Sequence, residues 1–157
     1  MSLTQGTTTP PSAAAADFSL ADFASGAVGK SMGLSEKHLL VGLEVARQLR
    51  TRGALAEALR MHAMLALCAP TNIELQLGLA ECAAEIGLNE IAMQAASVVI
   101  AMSPNDPRGY LLSGRSAIGM DAKAEAKEDL ADAARLAAAA GRNDIVAEAK
   151  RLTASLM

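Results

Sequence analysis

From Ser35 onward, apolar and small residues return at helical spacing in stretches separated by short turns rich in Gly, Pro, Asn and Asp. The pattern repeats every 34 residues. Leu43, Leu77 and Leu111 keep that step, as do Ala46, Ala80 and Gly114, and Ala58, Ala92 and Ala126. Gly53 with Gly87 and Pro70 with Pro104 follow the same period. Paired helices repeating at 34 residues are the signature of the tetratricopeptide (TPR) repeat.

Each recurring position has a physical role in such a hairpin. The small residues at 46, 80 and 114 let helix A press on helix B, and those at 58, 92 and 126 answer them from helix B. Gly53 and Gly87 end helix A, where the chain needs positive φ. Pro70 and Pro104 stop helix B.

Start signals agree. Ser35 can cap the first A helix, Thr71 with Glu74 forms a capping-box pattern, and Asp106–Pro107 supplies a cap and a first-turn proline. The spacing predicts A helices over 36–51, 73–86 and 107–119. It predicts B helices over 54–68, 89–102 and 122–139. Asn143 can cap a last helix over 144–156, covering the open apolar side of the third repeat. Ahead of the repeats, residues 1–16 are a Thr/Ser/Pro/Ala lead-in expected to be disordered, and 17–34 a Gly-interrupted helical segment. The expected architecture is all-α: three degenerate TPR repeats over 35–157, with an N-terminal helical segment and a C-terminal capping helix. The repeats are degenerate because large aromatics are missing. Gly42 and Gln76 stand early in helix A, His62 replaces the usual helix-B phenylalanine, and Asp121 replaces the turn glycine.

Composition sharpens this reading. About 35 of the 157 residues are Ala, aromatics are 2%, and there is no Trp. Ala favours helix, while the strand-forming aromatics are scarce, so a thin-walled helical fold is expected. Net charge is −3 with both signs interspersed, which gives nucleic acid no basic patch. No apolar run is long enough to insert in a membrane, no secretory signal is evident, and two cysteines make no disulfide scaffold. A cytoplasmic protein is expected.

Candidate chemistry is sparse. ASGAVGKS at 24–31 fits a loose phosphate-loop pattern, yet the preceding DFSLADF is no buried strand and no α/β alternation follows. A softened helix or turn is the better reading. His38, His62, Cys68 and Cys82 have no metal-ligand spacing, and both cysteines read as small core fillers. No catalytic residue, metal or cofactor is expected.

The A helices of a TPR array line a concave groove. In the 34-residue frame its wall is expected to carry Leu40, Leu43, Arg47 and Arg50, then Leu77 and Glu81 (with Glu74 and Glu85 beside them), then Arg108, Leu111, Arg115 and Ile118. Leucines at one place in all three repeats would form an open apolar stripe. Either an extended peptide or the chain's own N-terminal segment would cover it. Basic, acidic and basic charges alternate along the wall and would fix register. The Lys/Asn pattern that grips a C-terminal carboxylate is absent.

The stretch ELQLGLAECAAEIGLNEIAMQAASVVIAMSPNDPRGYLLSGRSAIGMDAKAEAKEDL resembles the class II chaperones of bacterial type III secretion. The likeness lies in the LGLAEC helix, a Gly before the next helix, the SPNDPR turn and the acidic Ala-rich third repeat. It implies a cytoplasmic, non-enzymatic chaperone without cofactor. Its partner would be a hydrophobic translocator, with an extended apolar segment held in the groove and kept soluble before export. It also implies homodimer contacts through residues 17–34. The family's aromatic-lined groove is missing here. A general TPR adaptor, joining proteins that are soluble by themselves, is the alternative.

Overall fold

The computed structural model describes residues 19–156, apart from the side chain of Leu20; the predicted 1–16 lead-in lies outside the described residues. The described chain is helical throughout and forms three helical hairpins, preceded by two short helices and followed by one. The short helices are α1 (Leu20–Ala24) and α2 (Ala27–Ser31). The hairpins are α3 (Glu36–Thr51) with α4 (Leu55–Cys68), α5 (Ile73–Glu85) with α6 (Asn89–Met102), and α7 (Pro107–Gly119) with α8 (Lys123–Ala139). Helix α9 (Asn143–Ala154) closes the array.

The repeat positions pack as their sizes require. Ala46, Ala80, Ala58, Ala92 and Ala126 are fully buried, and Gly114 is buried with them. A Cβ at Gly114 would come within 2.8 Å of Leu130 Cγ, so the third hairpin closes only because that atom is missing. The turns between A and B helices share one left-handed residue: Gly53 at φ 78°, Gly87 at 80° and Asp121 at 59°. Asp121 therefore takes the glycine's conformation without the glycine.

Two caps differ from expectation. Asn72, not Thr71, caps α5 by accepting from Leu75 N–H at 3.2 Å, which frees Glu74 to reach other helices. The last helix begins at Asn143 with Arg142 in the cap position and no side-chain cap bond. Asp106 caps α7 as expected, accepting from Arg108 N–H at 3.0 Å.

Neighbouring helices fix the curvature. α3 touches α5, α5 touches α7 and α7 touches α9, while among the described residues no B helix reaches the next B helix. The A helices therefore line the inside of the curl. The segment ASGAVGKS becomes the end of α1, a left-handed Gly26 and α2, packed on the end of α4. A Cβ at Gly29 would stand 2.7 Å from the Cys68 carbonyl oxygen, so this glycine serves close packing and not phosphate binding. Among the described residues, no helix is long and apolar enough to cross a membrane.

Candidate functional site

The inner surface holds a half-open cavity of about 580 Å³. Helix α3 supplies Arg47, Arg50 and Thr51, α5 supplies Glu74, Leu77, Gly78, Glu81 and Glu85, and α7 supplies Arg108. His62 of α4 reaches between the A helices to the floor.

The walls are built from ion pairs between helices. Glu74 takes Arg47 of α3 on one carboxylate oxygen at 2.8 Å and Arg108 of α7 on the other at 2.9 Å. It thus ties three A helices together. Arg50 donates to Glu85 through Nε at 3.0 Å and pairs with Glu81 as well. Arg108 also holds Asp106, its own helix cap, at 2.7 Å. These pairs are part-exposed, so each contributes about 0–1 kcal/mol, and their joint effect is to set spacing. The hydrogen bond to Asp106 and that to Glu74 outweigh burial and hold the Arg108 pKa above its ordinary value. Burial pulls Arg50 the other way, but Glu85 and Glu81 overcome it.

The floor is different. His62 is 1% exposed, and its Nδ1 has no hydrogen-bond partner among the described residues. Burial, then the charges of Arg47 and Arg50, push its pKa down to about 4, so the ring is neutral at pH 7. It lies directly against Gly78, in the space a Cβ there would occupy. Burial pushes the Cys82 thiol up and Cys68 is also buried, so both free cysteines fill the core.

The structure divides the predicted groove residues. Arg47, Arg50, Leu77, Glu81 and Arg108 meet at the cavity. The open leucine stripe does not form. Leu43 is 6% exposed and packs with Leu65 and Leu75, and Leu77 is 3% exposed in a cluster with Val99 and Leu112. Leu111 and Ile118 pack on the cluster of Leu130, Ala133, Ala149 and Leu152 that α9 completes. The cause is rotational: 43, 77 and 111 face the packed interior between helices, and of the three Leu77 also borders the cavity. The leucines are covered by the neighbouring helices of the array. Leu40 is 59% exposed but outside the cavity lining. Arg115 is exposed on α7; the hydrogen bond from Arg151 holds the Glu148 carboxyl on α9 below its ordinary value, and the Arg115 charge adds to that lowering last.

Thr51, His62 and Gly78 were missed as groove residues. His62 carried a signal, since its equivalents Ala96 and Leu130 are fully buried. A polar side chain in a row otherwise inside the core marks a site with a special role.

No protein-family model matches the chain, and no curated protein matches it. Solved structures do match. PcrH, known from Pseudomonas aeruginosa and solved with the chaperone binding region of PopB, is 25% identical with a TM-score of 0.72, covering 76% of this chain and 98% of that one. The Yersinia enterocolitica type III secretion chaperone SycD, solved with a peptide of the translocator YopD, is 19% identical with a TM-score of 0.71, covering 78% and 94%. The first TPR of Spaghetti (RPAP3), bound to the HSP90 peptide SRMEEVD, is 17% identical with a TM-score of 0.67, covering 78% and 95%. The chain therefore has the all-α TPR fold, in the form that type III translocator chaperones share.

Proposed function

We propose that this protein is a chaperone of type III secretion translocators, holding an extended client segment against the inner surface of its three TPR hairpins. The observation that carries the reading is the coincidence of fold and cavity. The structural neighbours PcrH and SycD were solved with segments of PopD, PopB and YopD. This chain has the same helical array, with a cavity on the face where its A helices meet. The action is reversible masking in the cytoplasm, with no chemical step: client segments that would aggregate or insert in membranes are covered until export.

Paired cavity cations weigh against the adaptor reading in its acidic-peptide form. Arg47, Arg50 and Arg108 are all engaged by Glu74, Glu81, Glu85 or Asp106, so no free cluster awaits a carboxylate. A homodimer is part of the proposal. Among the described residues, no helix before α3 packs on it, since α2 packs on α4. Met32 in the 17–34 segment and Val41 and Val45 on α3 are exposed, apolar surface that a subunit contact would cover.

Co-expression tests the function. A translocator encoded beside this chain should be insoluble alone and soluble, bound and monodisperse with it. A partner equally soluble in both cases would leave only a general adaptor.

A further inference from the structure

The wall carries three guanidinium groups and three carboxylates, each engaged with an opposite partner. A client side chain of either charge would meet like and unlike groups together and lose its hydration for little gain. Yet hydrogen-bonding capacity remains. Arg47 has five N–H donors and uses a single nitrogen, bonded to Glu74 at 2.8 Å. The carboxylates keep lone pairs beyond their arginines. At the floor, the His62 ring borders the cavity while only 1% exposed, and its Nδ1 has no partner among the described residues, an arrangement that costs stability.

Three guanidinium donors and three carboxylate acceptors thus line one cavity with no net charge between them. The complementary group is neutral and carries both functions: a carboxamide, whose oxygen accepts from guanidinium N–H while its NH₂ donates to carboxylate. We propose that this cavity is a polar subsite within the client groove, selecting a client segment that places an Asn or Gln side chain between Arg47 and the His62 floor. The proposal rests on the groove reading above and deepens it. Apolar client residues would sit outside this cavity, where Leu40 stands exposed.

The test uses the full chain, ¹⁵N-labelled, titrated with blocked Ala-based hexapeptides that differ at one position: Gln, Asn, Leu, Glu or Lys. The Gln and Asn peptides should move the Thr51 and Gly78 amide resonances and bind about five-fold more tightly than the other three, the advantage of one net hydrogen bond. Arg47→Met keeps the stem on an exposed site and should remove that preference, with circular dichroism unchanged. His62→Phe, which restores the ring type usual in these repeats, should reduce it. If the Leu peptide binds best at these resonances, the subsite is wrong and the groove stands. If none of the five peptides moves a groove resonance, both are overturned. An undiminished Gln preference in Arg47→Met also sinks the subsite.

Discussion

His62 titrates at about 4 in the folded chain against 6.5 as a free side chain, because burial and two arginines disfavour its cation. The unfolded chain therefore binds the proton first as pH falls, and folding loses stability below the free value. Between pH 7 and pH 5 the loss is about 2 kcal/mol from this group. Urea unfolding at the two pH values should show that loss in the wild type and little of it in His62→Phe. An equal slope in both would mean that His62 is not buried as a neutral ring. The neighbouring leucine makes a second residue-scale prediction. Leu77 is 3% exposed, so Leu77→Glu should bury a charge in the core and cost several kcal/mol, with loss of the helical circular-dichroism signal. A well-folded Leu77→Glu would restore the open leucine stripe that the packing denies. At this scale the sequence revealed size well. A fully buried Ala46, Ala80 and Ala92 follow from where a larger side chain would part the helices. It did not reveal that a polar ring and a glycine would be mutually fitted at 62 and 78, since no spacing rule joins residues on different hairpins.

At the scale of the helix and its turn, most boundaries were legible to within a residue or two. Caps and stops are local chemistry: Asp106–Pro107 starts α7, and Pro70 and Pro104 stand two residues beyond α4 and α6. The rotation of each A helix about its axis was less legible. The 34-residue period fixes which residues are equivalent, but it says nothing about whether an apolar row faces the groove or the next helix. In a chain so rich in Ala, the larger Leu43, Leu77 and Leu111 are drawn into the packing between helices, where small residues alone would leave voids. The charged rows, led by Glu74 and Glu81, are left to form the wall. The turns give a prediction of their own. Asp121 sits at φ 59° where its equivalents are glycines. Asp121→Gly should stabilise the chain by about 0.5–1 kcal/mol, read as a raised urea midpoint with unchanged slope. A lowered midpoint would mean that the Asp side chain holds the turn by a bond more valuable than the strain it bears.

For the whole molecule, the array is a curl of three hairpins with α9 closing one end and α1–α2 leaning on α4 at the other. Its inner face is tied laterally by Glu74, which joins α3, α5 and α7 through two arginines. Screening those pairs with salt should loosen the spacing of the A helices more than the helices themselves. Function depends on which face the client uses. Photo-crosslinking decides this: a benzophenone amino acid is placed either at Thr51, on the rim of the cavity, or at Met64, exposed on α4 and outside the cavity lining. With the co-expressed translocator present, irradiation should join the client to position 51 and leave position 64 uncoupled; strong coupling from position 64 and none from 51 would contradict the inner groove as the binding site.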